Sequence, residues 1–209
     1  MNWIGIFAVG LALVMGGSGW VGLSVAEDQK KALLDLVKDR DQAIQDIVRS
    51  ETKGETPEER TKLKAIVGGM FDFEAYARVC LGRYWAERTE AERQDFVQVN
   101  RQLIEKNYSN PALYTKADKI EYTEVELDGK EAVVKTEVFY KSETSTIDYQ
   151  LHLVDGKWLI YDMMIDDLSI GKSNRSQFRK EIRKSSFDGL MKKLHKKLKE
   201  DKDEGKGGA

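Results

Sequence analysis

Near Asp118 the apolar residues change their spacing from every third or fourth position to every second, and they hold the shorter period as far as Asp167. Side chains repeat every 3.6 residues on a helix and every two on a strand, so one pattern cannot serve for the other. The chain therefore reads as a helical first half, a β-meander and a helical tail. Inside the meander, LDGK (127–130) and VDGK (154–157) carry the Asp-Gly pairs that close hairpins, and a longer polar link, KSETST (141–146), joins the middle strands. Four antiparallel strands are expected.

Their register can be argued as well. Three-residue loops with Gly129 and Gly156 as bulge residues put Ile120, Tyr122, Val134, Val138 and Tyr140 on one face of the first hairpin. The same face of the second hairpin then holds Ile147, Tyr149, Leu151, Leu153, Leu159, Tyr161, Met163 and Ile165. Glu121, Thr123, Lys135, Glu137, Asp148, Gln150, His152 and Asp162 fall on the other face. The sheet should have one oily side and one wet side.

Helices flank it. Leu33, Leu36, Val37, Ile44, Ile47 and Val48 form one stripe between Asp28 and Ser50. Thr56, Pro57 and Glu59 make a capping box with proline at the first helical position, opening a helix that carries Leu63, Ile66 and Val67 up to Gly68-Gly69. Asp72 caps a short helix that ends near Gly82, and Thr89 with Glu92 opens a longer one bearing Phe96, Val97, Leu103 and Ile104, closed by Asn110-Pro111. After Gly171 come Phe178 and Ile182, a break at Ser185-Ser186, and a Lys-rich helix with Leu190, Leu194 and Leu198 on one side. The fold class is thus α+β: a four-stranded antiparallel meander curved against about five to six helices.

Residues 1–26 contain no charged side chain and end in Ser24-Val25-Ala26, a small-x-small step that marks them as an expected cleavable signal peptide. Residues 27–198 are the expected domain, and 199–209 a charged tail expected to be disordered. Cys80 is the single cysteine, so no intrachain disulfide can form, and it reads as a small apolar helix residue.

Catalytic and metal-binding patterns are sparse. His152 and His195 are the only histidines and stand in no ligand spacing, and no phosphate loop or nucleophile elbow occurs. Asp166 and Asp167 are adjacent, so on a strand they would point to opposite faces; they read as a solvated strand end that caps the next helix. Residues 172–206 carry a local charge of plus seven within a chain of net charge −2. On an exported protein this basic stretch reads as a solvated helix face or a contact with acidic partners or anionic headgroups. No nucleic-acid partner, cofactor, metal or enzymatic activity is expected.

The stretch WLIYDMMIDDLSIGKSNRSQFRKEIRKSSFDGLMKKL resembles the closing region of the MlaC / toluene-tolerance auxiliary family. It carries Trp158, Tyr161-Asp162, Asp167-Leu168-Ser169, Arg175-Ser176-Gln177-Phe178 and Gly189-Leu190 in the family's order. Upstream, YARVCLGRYWAERTEAERQDFVQVNRQLIEKNY is similar to the family segment in which Leu-Gly and an aromatic pair precede a Thr-capped helix ending in Tyr. Asp167 stands where many members have Gly, and Asn174 where a Tyr often precedes the Arg, which touches the shape of one connection.

The resemblance implies a periplasmic phospholipid-binding shuttle between an inner-membrane ABC transporter complex and an outer-membrane lipoprotein/porin complex, maintaining outer-membrane lipid asymmetry. Diacyl phospholipid is then the ligand, held in an apolar cavity between sheet and helices. The lining expected from the strands is Val134, Val138, Tyr149, Leu151, Tyr161, Met163 and Ile165. Facing it would stand Val79, Leu81, Trp85, Phe96, Leu103, Phe178 and Ile182, with Arg175 meeting a phosphate at the mouth or forming an internal ion pair. The alternative is an exported α+β interaction module with a solid core, docking a partner through its basic helix.

Overall fold

The computed structural model describes residues 18–48, 56–108 and 117–204. Helix starts fall where the capping signals place them. Thr56 and Glu59 exchange both capping-box hydrogen bonds at the head of α2 (Pro57–Met70). Asp72 accepts from the Ala75 amide at the head of α3 (Phe73–Leu81). Thr89 and Glu92 make a second capping box before α4 (Glu90–Tyr108). These side chains satisfy amides that a helix leaves without partners in its first turn. Before them runs α1 (Ser18–Val48), continuous through Ser24-Val25-Ala26. Residues 1–17 of the expected leader lie outside the described residues, as does Asn110-Pro111. No helix among the described residues is long and apolar enough to cross a membrane.

Two boundaries differ from expectation. Gly68-Gly69 does not stop α2, which continues to Met70 while the Gly69 carbonyl accepts from Arg40 Nη1 at 3.0 Å. At the other end, α5 (Ile170–Glu204) breaks at Ser186 (φ 79°, ψ 173°), as the Ser185-Ser186 reading anticipates. It then stays helical into the stretch expected to be disordered, and residues 205–209 lie outside the described residues.

The strands are β1 (Lys119–Asp128), β2 (Glu131–Tyr140), β3 (Glu143–Val154) and β4 (Lys157–Ile165), in sequential antiparallel order, with a short fifth, β5 (Leu168–Ser169), paired to the end of β4. The two Asp-Gly hairpins close with two-residue turns, not the three-residue loops expected: Asp128 pairs with Glu131 and Val154 with Lys157. The middle strands, expected to be joined by a longer link, also turn in two residues, Tyr140 pairing with Glu143. Such turns put Val125, Leu127, Trp158 and Ile160 on the inner face, the opposite parity from the one the far ends of β1 and β4 need. One extra residue in each outer strand restores it. The register shifts at Thr123 in β1 and at Tyr161 in β4 let Ile120, Tyr122, Met163 and Ile165 also face inward. Leu159 therefore pairs with His152 on the outer face, and the Tyr161 ring lies 5.0 Å from the His152 ring, so both residues leave the inner face assigned to them.

Asp166 and Asp167 do not cap α5. Both have positive φ (48° and 63°) and form the two-residue turn between β4 and β5. Ser169 caps α5 instead, its hydroxyl accepting from the Lys172 amide at 2.9 Å. The β4 edge is covered at one end by β5 and at the other by Phe71-Asp72, whose amide donates to the Ile160 carbonyl. The β1 edge carries Glu121, Glu124 and Glu126, charges that discourage pairing with another chain.

Two apolar cores result. In the first, Val125, Ala132, Val134, Tyr149, Leu151 and Ile160 from the sheet meet Leu33, Val37 and Ile44 of α1, Leu63, Val67 and Met70 of α2, and Phe71 and Phe73. In the second, α3, α4 and α5 pack on one another through Tyr76, Cys80, Leu81, Phe96, Phe187, Leu190 and Leu194. Val97 and Ile104 of α4 touch both.

Candidate functional site

The inner face of the sheet is not covered evenly. Toward the Asp-Gly turns Val134 and Leu151 are at most 1% exposed, closed over by α1 and α2. Toward the opposite end the cover thins. Tyr122, Ile147 and Met163 are half-buried, and Ile165 is 37% exposed. Ile47 of α1 and Ile104 of α4 approach the same core half-buried. Four apolar side chains of the inner face thus stand partly uncovered at this end, and apolar surface of this kind is what a hydrocarbon ligand contacts. Val138, opposite Ile120, continues this strip.

The strand half of the expected lining is therefore assembled on one surface, Tyr161 excepted: Val134, Val138, Tyr149, Leu151, Met163 and Ile165. The helical half is elsewhere. Leu81, Trp85, Phe96, Leu103, Phe178 and Ile182 belong to the second core. Phe178 meets Phe96 edge-on at 5.7 Å, and Trp85 lies between the Arg78 and Arg93 guanidinium groups, 4.9 and 5.5 Å from its ring. Helical spacing reveals an apolar stripe but not which neighbour it meets, and here the stripes of α3, α4 and α5 meet one another. A cleft of about 130 Å³ beside Trp85 is lined by Glu74, Arg78, Glu90 and Arg93 among others, too polar for acyl chains.

Val79 and Arg175 act at the joint between α3 and α5. The Arg175 Nε donates to the Val79 carbonyl at 2.6 Å, and Arg175 forms no ion pair among the described residues. Two glycines permit this closeness. A Cβ on Gly82, at φ 54°, would stand 3.1 Å from the Arg175 side chain, and one on Gly171 would stand 2.6 Å from Val79. Asp162 anchors the same joint from inside: it is 5% exposed and accepts from the Ser169 hydroxyl at 2.5 Å and from the Met163 and Gly171 amides at 2.8 and 2.9 Å. A carboxylate placed on the first amides of a helix is held by directed bonds and by the helix dipole.

Two further polar groups bear on chemistry. His152 Nε2 is 3.0 Å from Asp72 Oδ2, an Asp-His pair of the kind a hydrolase would orient, yet the other Asp72 oxygen is spent capping α3. The pair ties α3 to β3. Cys80 is fully buried, and burial pushes its thiol up to about 12, which removes it as a nucleophile. Among the described residues no group of three His, Cys, Asp or Glu side chains could hold a metal ion.

Asp41 escaped the sequence reading. It lies on the buried stripe of α1, between Val37 and Ile44, and is 1% exposed. Its Oδ2 accepts from the Tyr122 and Tyr149 hydroxyls at 2.9 and 3.0 Å, while Oδ1 has no partner. Burial pushes its carboxyl up to about 6, against the two tyrosine bonds that favour the ionised form. A signal was present: an Asp at stripe spacing in α1, and Tyr122 and Tyr149 on the oily strand face.

The sequence matches the MlaC protein family over residues 37–196, well over half of its length. The chain belongs to the MlaC family. That span takes in the whole sheet and nearly all of both cores, leaving out Leu33 and Leu198. Among solved structures, a phospholipid-binding protein from Ralstonia solanacearum, determined in complex with a phospholipid, has a similar fold, with a TM-score of 0.66 and 20% sequence identity. The likeness covers 79% of this MlaC-family chain and 96% of that one. No curated protein matches the sequence.

Proposed function

We propose that this MlaC-family protein is a phospholipid carrier: an exported, periplasmic shuttle that receives or delivers diacyl lipid at membrane complexes on either side, an inner-membrane ABC transporter and an outer-membrane lipoprotein/porin assembly, and so maintains outer-membrane asymmetry. The observation that carries the reading is the half-covered apolar end of the sheet, with Ile165 37% exposed beside Ile147 and Met163. Family membership, and a fold shared with a protein crystallised with phospholipid, support the choice of ligand. The energetics demand an enclosing protein and nothing more. Two acyl chains hold about 30 methylenes, and at roughly 0.8 kcal/mol each their exposure would cost more than about 20 kcal/mol. Withholding water is the whole task, so a carrier needs an apolar surface that can be covered and uncovered.

In this reading Val138, Tyr149, Met163 and Ile165 line the tails at the half-covered end, with Val134 and Leu151 deeper, under α1. The helical residues Leu81, Trp85, Phe96, Leu103, Phe178 and Ile182 support the scaffold. Val79 holds the start of α5, and Arg175 positions α5 on α3. Gentle purification followed by native mass spectrometry tests it. The expected spectrum contains adducts of diacyl phospholipid mass, and a chain of bare mass after mild handling counts against the carrier. The filled packing of Leu33, Val37, Leu63 and Val67 over the sheet favours a second reading, an interaction module with a solid core, and a bare mass would support that.

A further inference from the structure

The feature that the carrier reading leaves unexplained is the bare oxygen of Asp41. A buried carboxylate normally spends both oxygens on donors, because an unpaired one forfeits its hydration without return. Here both available donors, Tyr122 of β1 and Tyr149 of β3, converge on Oδ2. What acts on the carboxyl is burial and the two tyrosine hydroxyls, while β2 brings Val134 and Thr136 to the same face and α2 brings Leu63 and Val67 to the same core. Arg40, the neighbouring residue on α1, is turned to the Gly69 carbonyl of α2.

Position gives the oxygen its meaning. Tyr149 pairs with Met163, and Ile147 with Ile165, so the Asp41 cluster borders the half-covered end of the sheet. A glycerolipid filling that end, as the carrier reading requires, brings two kinds of atom. Methylenes exclude water, which penalises the ionised carboxyl. Ester carbonyls are acceptors only, and can bond Oδ1 only if it holds a proton. Both favour the protonated carboxyl.

We propose that lipid loading is coupled to proton uptake at Asp41: the loaded protein carries a proton on Oδ1, taken from bulk solvent and offered to an ester carbonyl, and the empty protein at neutral pH does not. Lipid is therefore held more tightly at mildly acidic pH and released as pH rises. The inference rests on the carrier reading and adds a regulated step to it.

The test is transfer of pyrene-chain phosphatidylcholine and, separately, phosphatidylglycerol from vesicles to the full-length protein between pH 5.5 and 7.5, a range in which neither headgroup titrates. With the empty-state carboxyl near 6, affinity for both lipids should fall about tenfold across the range. Asp41→Asn, which cannot titrate, should abolish the slope. Tyr122→Phe removes one donor from the carboxylate and should move the midpoint to higher pH, which keeps the test decisive if Asp41→Asn does not fold. A flat profile, a slope of opposite sign (a headgroup donor on Oδ1), or a slope that survives in Asp41→Asn overturns the coupling and leaves the carrier intact. Retention of neither lipid by wild type at any pH overturns the carrier and the coupling together.

Discussion

Asp41 and Asp162 are both buried carboxylates, but they meet different numbers of donors. Asp162 accepts from one hydroxyl and two amides and fastens the first turn of α5 to β4. Replacing it by Ala strands two amides inside the protein and should cost about 2–4 kcal/mol, read as a lower urea midpoint. Asp41 has too few partners. Its folded-state carboxyl near 6 lies above the unfolded value of 3.8, so the folded protein binds the proton more tightly. Its contribution to stability is therefore complete below about pH 4 and is lost as pH rises through about 6, for a total near 3 kcal/mol. The stability of Asp41→Asn relative to wild type should rise by about that amount between pH 4 and pH 7.5, measured by urea denaturation at each pH.

The strands and helices owe their placement to small departures from regularity. Thr123 and Tyr161 each add one residue to an outer strand, and without them the far ends of β1 and β4 would present the wrong faces to the first core. Deleting Thr123 should rotate Ile120 and Tyr122 outward, remove one of the two bonds to Asp41, and yield protein that is insoluble or unfolds without cooperativity on heating. In α5 the break at Ser186 occupies a backbone region that strongly favours glycine. Ser186→Gly should relieve this strain and raise stability by about 1 kcal/mol, visible as a higher Tm, while keeping Phe187, Leu190 and Leu194 on α3 and α4.

On the carrier reading, having two cores separates stability from cargo. The α3–α4–α5 core holds the molecule together away from the inner sheet face, whereas the end of the sheet near Ile165 is open to change. Leu194→Ala should therefore cost about 2–5 kcal/mol of stability with lipid adducts retained in native mass spectra. Met163→Trp should have the opposite outcome, near-native stability with the adducts lost. An equal loss of adducts in both variants would mean that the cores are not functionally distinct.

What could be read from the order of residues is what local chemistry decides: the switch to period two at Asp118, the boxes at Thr56 and Thr89, the cap at Asp72 and the break at Ser185-Ser186. Each depends on neighbours within about four positions. That Val134, Val138, Tyr149, Leu151, Met163 and Ile165 share one face was legible for the same reason, because alternation assigns a face without knowledge of a partner. The rest depended on contacts distant in sequence. Two-residue turns and bulges are nearly indistinguishable from bulged loops in the pattern, so Leu159 and Tyr161 were put on the wrong face. The helical stripes gave no sign that α3, α4 and α5 would bury against one another. Asp41 acquires its bare oxygen only where α1 crosses Tyr122 and Tyr149, 81 and 108 residues away along the chain, because desolvation is a property of the surroundings and not of the residue.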